Sequence, residues 1–473
     1  MRIARTCSAV LALASLAATG ARAQTLDAGA AERVRLVTDE ARRQTAPPST
    51  FLDLAKQDER QIDAGGWVTV TSVDFRDDDH SASKPDAFKS VVIEDYRLWV
   101  AGEITDDLKF YVRGRKFNFD FSTNAGVASP DFASQENVTL DLAYVDWGFA
   151  KDWALRAGRQ FQTLGRALVL SNDLDGAAVS YQHGPWQGRV FAGTTIDRDP
   201  NLDTSIIGFA QRTQDRDFYS ADASRTFDNG NRAYGYLLVE HDNSTSQSAA
   251  QSALDFHYHS NYLGLGTEGS IAQDLHYYGE YVREGGTMFA DTPKTRVDID
   301  SNAFLGGLLY YPDFDGHPLA TLEIAHGSGD PARSSVTNTF GGKLSASDDN
   351  NFLYYGSYDG GLALSPRLSN LNIARLGFQM KPFPDDGKQL PGVLVGTKLS
   401  EYWKDDKNGV ISDPLATLAA RYVGWGFDFF AGYKPLSDVS FLAQFGRFTP
   451  GSAYAPGASD ASNRVLLTST LSF

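Results

Sequence analysis

The segment Tyr96–Phe117, YRLWVAGEITDDLKFYVRGRKF, decides the fold of this chain. Its first half places Tyr96, Leu98 and Val100 on one face of an extended backbone. Its second half places Phe110, Val112 and Gly114 on one face, and the other face carries Lys109, Tyr111, Arg113 and Arg115. A period of two is typical of half-buried β-strands. The short Thr105-Asp106-Asp107 connection between the halves therefore predicts an antiparallel hairpin.

The same alternation recurs about 18 times between residues 61 and 473. The predicted strand centres lie near residues 68, 97, 113, 143, 158, 179, 191, 221, 237, 262, 280, 307, 322, 375, 397, 428, 444 and 468. The chain contains no proline-rich linker and no later stretch of 18 apolar residues, so we interpret this region as one domain without a membrane helix.

The connections alternate between short and long. The short ones are Thr105–Asp107, Ala150–Asp152, Gly184-Pro185, Asp228–Asn231, Ala272–Asp274 and Lys434–Asp438. The long polar ones cover residues 76–89, 122–135, 164–174, 197–216, 242–254, 285–302, 327–368, 404–423 and 449–461. This pattern predicts an all-β fold, a transmembrane antiparallel up-and-down β-barrel with short periplasmic turns and long extracellular loops. Both termini are then expected in the periplasm.

The last strand supports a membrane barrel. Val465, Leu467, Ser469, Leu471 and the terminal Phe473 share one face, which resembles the C-terminal signal of outer-membrane barrels. We therefore expect the barrel-assembly machinery as a partner. The tryptophans fall near strand ends, where interfacial girdles would place them: Trp67, Trp99, Trp147, Trp153, Trp186, Trp403 and Trp425.

Residues 1–23 are interpreted as a secretory signal peptide. Arg2 and Arg5 precede the apolar run Ala9–Ala18, and Ala21-Arg22-Ala23 is a small-x-small cleavage site. The only cysteine, Cys7, precedes the apolar run, which argues against lipidation and leaves no disulfide after cleavage. Residues 24–60 are expected to form a periplasmic N-terminal extension, and residues 61–473 the barrel.

Charge and motifs argue against several function classes. Cleavage removes three arginines and no acid, which takes the formal charge from −16 to −19, so nucleic acid is not an expected partner. No Gly-x-Ser-x-Gly or His-Glu-x-x-His motif is present, and His257 and His259 have no third metal ligand at suitable spacing. We therefore expect no enzyme, no metal and no cofactor, although a catalytic triad assembled from distant strands stays open.

Charged strand residues are expected to face the lumen, because charges are costly against lipid. The predicted lumen cations are Arg97, Lys109, Arg113, Arg115, Arg156, Arg189, Arg232 and Arg375. The predicted lumen acids are Glu103, Asp146, Glu240, Glu280 and Asp428. Guanidinium groups suit anions and acidic sugars, and Tyr111, Tyr234, Tyr236 and Tyr278 could contact sugar rings. Each arginine could equally brace the wall by pairing with an acid.

Several motifs resemble the alginate export family of outer-membrane porins. They are Gly158-Arg159-Gln160, Gly327–Asp330, Tyr354-Tyr355-Gly356, Leu368–Leu371, Lys398–Trp403, Gly426-x-Asp428, Gly446-Arg447-Phe448 and Pro450–Gly457. The resemblance implies a monomeric 18-stranded barrel with an arginine-rich pore for an anionic polysaccharide. It also implies that Arg113, Arg115, Arg159 and Arg375 line the pore. The alginate exporter has a long periplasmic loop before its penultimate strand, whereas Lys434–Asp438 is short.

The leading functional hypothesis is a passive outer-membrane channel for an anionic polysaccharide or a related acidic solute. Inward arginines would attract the solute, countercharges would keep its binding weak, and loop 327–368 would narrow the mouth. Outer-membrane lipid and lipopolysaccharide are the other expected partners. The alternatives are a general small-solute porin, and a structural or adhesive barrel that acts through its extracellular loops.

Overall fold

The computed structural model is a closed antiparallel β-barrel. It describes residues 62–84, 86, 88–123, 138–196, 202–203, 215–245, 256–291, 293–383 and 392–473. No helix in this part of the chain is long and apolar enough to cross a membrane. The predicted signal peptide, residues 1–23, and the predicted extension, residues 24–60, lie outside the described residues.

Eighteen strands form the wall within the described residues. They are β1 (Ile62–Arg76), β2 (Phe88–Thr105), β3 (Leu108–Thr123), β4 (Thr139–Ala150), β5 (Trp153–Thr163), β6 (Ser171–His183), β7 (Trp186–Thr195), β8 (Arg216–Thr226), β9 (Arg232–Asp242), β10 (His259–Ala272), β11 (Leu275–Asp291), β12 (Lys294–Tyr310), β13 (Leu319–Gly327), β14 (Leu371–Met380), β15 (Val393–Lys404), β16 (Tyr422–Tyr433), β17 (Val439–Pro450) and β18 (Ser462–Ser472). Each predicted strand centre lies within one of them, so the predicted architecture is confirmed.

Neighbouring strands in sequence pair along the whole wall, and β18 pairs with β1 to close it. Trp67 lies opposite Ser472, and the backbones of Gly66 and Phe473 exchange hydrogen bonds of 2.8 and 2.9 Å. The terminal residue is therefore part of the closing seam. Closure matters because a barrel without edges leaves no unpaired backbone groups facing lipid.

Strand alternation separates an apolar outer face from a polar inner face. On the outer face, Leu98 and Leu265 are 62% and 57% exposed. On the inner face of the seam, the hydroxyl groups of Thr69 and Thr470 lie 3.0 Å apart. Exposed leucines without a polar partner are what lipid requires, so the burial pattern agrees with a membrane barrel.

The connections follow the predicted alternation with one exception. All six predicted short turns separate consecutive strands, and we call their side of the barrel the short-turn end and the other the long-loop end. The predicted long loop at 285–302 is wrong, because β11 and β12 continue through it and leave only residues 292–293 between them. Met288, Ala290 and Val297 are buried in the core inside this extension. Those apolar side chains keep the hairpin extended beyond the neighbouring strands.

The tryptophans divide between the two faces. Trp147, Trp153 and Trp186 are exposed beside the short turns, as the girdle interpretation predicts. Trp67 and Trp99 are buried on the inner face, so the girdle prediction is wrong for them. For Trp67 the reason is visible, because the guanidinium carbons of two lumen arginines lie 5.5 and 5.3 Å from its ring centroid. Cation–π contact holds this ring inside.

Candidate pore constriction

The tip of the β5–β6 hairpin, residues 164–170, reaches across the lumen. The described ladders join β5 to β4 only as far as Arg159 and β6 to β7 only as far as Leu174. Beyond those pairs the hairpin leaves the wall. The backbone N–H of Arg166 then donates to Glu280 on β11, at 2.7 Å. Because β11 lies far along the wall from β5, the hairpin tip narrows the lumen.

Gly158 stands where the hairpin separates from β4. Its φ is +123°, which L-residues with side chains rarely adopt. A Cβ at this position would lie 2.2 Å from the carbonyl oxygen of Ala143. Glycine is therefore required here, which gives the Gly158-Arg159-Gln160 motif a local structural role.

The connection between β13 and β14, residues 328–370, also runs inside the barrel, and we call it the lumen loop. Inward side chains along the wall anchor it, since hydrogen bonds join Leu353 to Glu284, Tyr358 to Glu323, Gly360 to Tyr402 and Ala363 to Arg464. The backbone N–H groups of Tyr355 and Ser357 donate to the carbonyls of Val169 and Ala167 in the hairpin tip, at 2.9 and 2.8 Å. The lumen loop and the hairpin tip therefore form one constriction.

Three of the predicted lumen cations form a buried cluster on β2 and β3. Arg97 and Arg115 both bind Asp95, with N–O distances of 2.8 and 2.9 Å, and Arg113 binds Asp141 at 2.6 Å. The arginine side chains are 0%, 7% and 2% exposed, respectively. A solute in the lumen has little access to such groups. The geometry favours bracing over solute contact for this buried cluster.

Arg375 is also buried and serves as an anchor of the lumen loop. It donates to Glu323 at 3.1 Å and to the carbonyl of Asp359 at 2.6 Å. Lys398, a lumen cation that the sequence analysis missed, binds the Asp359 carboxylate at 2.6 Å. Partial burial would raise the pKa of Asp359, but the charges of Lys398 and Arg375 outweigh it and hold that pKa below its ordinary value.

Three predicted cations lie on the inner face in one-to-one pairs and stay partly exposed. The pairs are Lys109 with Glu103 at 2.6 Å, Arg156 with Asp146 at 2.7 Å and Arg189 with Asp222 at 2.8 Å. The guanidinium of Arg156 also lies 4.2 Å from the ring centroid of Tyr144. These three cations can reach a solute, although each already has a carboxylate partner.

Arg159 differs from its neighbours in position. Arg159 lies on the opposite face of β5 from Arg156 and Gln160, so strand alternation does not point it into the lumen, where the resemblance places it. It pairs with Asp175 at 2.8 Å and also donates to the carbonyl of Leu140. Its contacts hold the β5–β6 hairpin beside the start of β4.

Arg232 belongs to a third arrangement, in which two arginines share one carboxylate. Arg232 binds one oxygen of Glu268 at 3.1 Å, and Arg166 of the hairpin tip binds the other at 3.2 Å. Arg166 lies 3.7 Å from the ring centroid of Tyr278, and Arg232 lies 5.2 Å from that of Tyr234. We call Arg166, Arg232 and Glu268 the shared-carboxylate site. Arg166 was missed because sequence placed it in an extracellular loop.

Histidines gather at the long-loop end of β9 and β10. The ring of His241 stacks on that of His259 at 4.4 Å, and His257 lies next in the row. The backbone N–H of Asp242 donates to Nδ1 of His259 at 3.1 Å, which occupies that nitrogen. Across the described residues, no group of three histidine, cysteine or acidic side chains is arranged to hold a metal ion.

The comparisons with known structures agree with the barrel. Similar structures include Pseudomonas aeruginosa OccK9 (OpdG), with a TM-score of 0.56 and 12% identity over 88% of this chain and 99% of that chain. OpdK with vanillate, also from P. aeruginosa, has a TM-score of 0.52 and 12% identity over 87% and 99%. Acinetobacter baumannii OccAB3 has a TM-score of 0.52 and 13% identity over 87% and 99%. At these identities the likeness shows the fold alone.

Sequence comparison gives the family. No curated protein sequence matches this chain significantly. The family described as alginate export matches residues 64–468, a range that begins in β1 and ends in β18 and so covers the whole barrel wall. The chain therefore belongs to the alginate export family and is an outer-membrane channel.

Proposed function

We propose that this channel passes acidic solutes, either an anionic polysaccharide in extended form or smaller carboxylates, by passive diffusion. The observation that carries the proposal is a set of partly exposed guanidiniums lying over tyrosine rings in the lumen. They are Arg156 over Tyr144, Arg166 over Tyr278 and Arg232 over Tyr234. A guanidinium attracts carboxylates, and the neighbouring ring offers an apolar surface to a sugar or aromatic ring.

The countercharges limit how tightly such a solute binds. Each of the nine predicted cations has a carboxylate partner in the wall, from Asp95 for Arg97 to Glu323 for Arg375. A channel needs attraction strong enough for entry and weak enough for exit. The partly exposed pairs meet both requirements, because the partner carboxylate competes with the solute for the same donors.

The constriction limits the size of solute that can pass. The hairpin tip and the lumen loop both occupy the lumen, which suits a single extended chain or a small molecule better than a folded one. The Lys434–Asp438 turn is short, so the short-turn end lacks the long loop that the alginate exporter carries before its penultimate strand. We therefore place the narrowest passage at the hairpin tip.

We further propose the orientation and assembly expected for an outer-membrane barrel. The short-turn end would face the periplasm with both termini, and the long-loop end would face the exterior. The barrel-assembly machinery would recognise β18 and Phe473, and the channel would work as a monomer. The signal peptide and N-terminal extension predicted for residues 1–60 complete this proposal.

The test is the reversal potential of the purified protein in planar lipid bilayers under a KCl gradient. We expect anion preference in the wild type and a clear shift towards cations in Arg156→Gln. Arg283→Gln is the matched control, because Arg283 pairs with Asp300 on the outer face and contributes nothing to the lumen. Cation preference in the wild type would refute the proposal. An absence of conductance would favour the structural or adhesive barrel.

A general small-solute porin is the second candidate. It is favoured by the fold that this chain shares with the Occ and Opd proteins, one of which was crystallised with vanillate. Equal passage of a neutral sugar and its uronic acid in a liposome-swelling assay would support this candidate over an acidic-solute channel.

A further inference from the structure

The shared-carboxylate site has more cations than carboxylates. The Glu268 carboxylate accepts from Nη1 of Arg232 through one oxygen and from Nη1 of Arg166 through the other, at 3.1 and 3.2 Å. Among the described residues, no hydrogen bond engages the Nε and Nη2 groups of either arginine. Since a carboxylate can bind a guanidinium through two parallel hydrogen bonds, each arginine here has donors to spare.

The three side chains are open to the lumen to a similar degree. Arg166, Arg232 and Glu268 are 31%, 39% and 37% exposed. The nearest further acid, Glu280, is almost fully buried, and its oxygens accept from Tyr234, Tyr236 and the backbone of Arg166. Glu280 is therefore occupied in holding the hairpin tip, whereas Glu268 faces the passage with the two arginines.

The aromatic contacts fix where the guanidiniums point. The guanidinium of Arg166 lies over Tyr278, whose hydroxyl donates to Glu323 at 2.6 Å. The guanidinium of Arg232 lies over Tyr234, whose hydroxyl donates to Glu280 at 2.7 Å. Each tyrosine is thus held at both its ring and its hydroxyl. This rigidity keeps both guanidiniums directed at one point, which in the structure is taken by a carboxylate of the chain itself.

We infer that the shared-carboxylate site is a binding subsite for the carboxylate of a passing solute, and that Glu268 is a tethered competitor that weakens it. This inference rests on the proposed function. A solute carboxylate would first accept from the unoccupied Nε and Nη2 groups of Arg166 or Arg232, and would then displace Glu268 from their Nη1 groups. Glu268 then returns as the solute leaves, so each binding event is short.

The experiment compares residence times of glucuronate in single-channel recordings of the wild type, Glu268→Gln and Glu103→Gln. Glu103 is the matched control, because it is a lumen carboxylate of similar exposure that pairs with a single cation, Lys109. Glu268→Gln should lengthen glucuronate residence by about fivefold, which is the upper range for an exposed ion pair. Glu103→Gln should lengthen glucuronate residence much less than Glu268→Gln does, because it releases a single cation, and glucose should show no effect in any variant.

A second variant separates binding from a loss of structure. Adding Arg166→Gln to Glu268→Gln should return the glucuronate residence time to the wild-type value or below it, with open-channel conductance retained. Equal residence in Glu268→Gln and the wild type, or an equal gain in Glu103→Gln, would overturn the inference. A wild type that neither prefers anions nor shows glucuronate block would instead overturn the proposed function.

Discussion

The buried cluster on β2 and β3 and the shared-carboxylate site use the same residue type for different purposes. The buried cluster joins three arginines to two carboxylates, and the shared-carboxylate site joins two arginines to one. Exposure distinguishes them, at 0–7% for the arginines of the first and 31–39% for those of the second. An arginine on the inner face of a barrel therefore braces the wall when its side chain is buried and lines the passage when its side chain is partly exposed.

The largest expected effect is on the stability of the buried cluster. Asp95→Ala leaves Arg97 and Arg115 without their common partner, and removing one partner of a buried ion pair costs about 3–5 kcal/mol. The measurement is the urea concentration at which the barrel loses its heat-modifiable mobility on a gel. Asp146→Ala, which removes the half-exposed partner of Arg156, should cost less than about 1 kcal/mol. Equal losses of stability in the two variants would show that burial does not determine the cost of removing a carboxylate partner.

The second prediction concerns the anchor of the lumen loop. Glu284 accepts from Tyr258, Tyr262, Ser301 and the backbone of Leu353, at 2.5, 3.0, 2.5 and 3.0 Å. Glu284→Ala should destabilise the loop by about 1–3 kcal/mol and increase single-channel conductance, because the loop narrows the lumen. Glu94→Ala, on the outer face, is the control. Unchanged conductance in Glu284→Ala would contradict the position assigned to the loop.

The wall itself could be predicted from sequence, because alternation is a local property. Lys109, Arg113 and Arg115 share a face whatever the rest of the chain does, and eighteen such segments closed as expected. The sequence analysis did not predict the extension of β11 and β12, because Gly285, Gly286 and the charged residues that follow look like turn residues. The extension depends on Met288, Ala290 and Val297, which share one buried cluster with Phe352 and Leu353 of the lumen loop.

The sequence analysis expected loop 327–368 to narrow the channel, but the part of the hairpin tip in the constriction could not be predicted, because burial depends on contacts distant in sequence. Leu164, Leu168 and Val169 were nevertheless a usable signal, since an exposed polar loop has no reason to carry a run of apolar residues. Interpreting them as lumen-facing would have placed Arg166 in the passage. Nothing in the sequence separates Arg97, which is buried, from Arg232, which is half-exposed.

The third prediction concerns pH and tests the anchor at Asp359. Its pKa is held below the ordinary value, so its pairing with Lys398 stabilises the loop at neutral pH and is lost only as pH falls through that lowered pKa. Asp359 should therefore contribute no step in channel conductance as pH falls from neutral to about 4, the ordinary carboxyl range. A conductance step in that interval that Asp359→Asn abolishes would contradict this assignment.

The smallest expected effect is on ion selectivity at Arg159. Its place on β5 opposite Arg156, together with its bonds to Asp175 and Leu140, makes it a structural residue of the hairpin. Arg159→Gln should leave the reversal potential unchanged. A shift as large as that of Arg156→Gln would show that Arg159 faces the passage.

The most direct test of the account is the reversal potential of Arg166→Gln combined with Arg232→Gln, measured beside the wild type in a KCl gradient. If the half-exposed arginines attract the solute, the wild type prefers anions and the double variant loses most of that preference, while the buried cluster remains intact. A double variant with the wild-type reversal potential would contradict the account, because the shared-carboxylate site would then contribute nothing to selectivity.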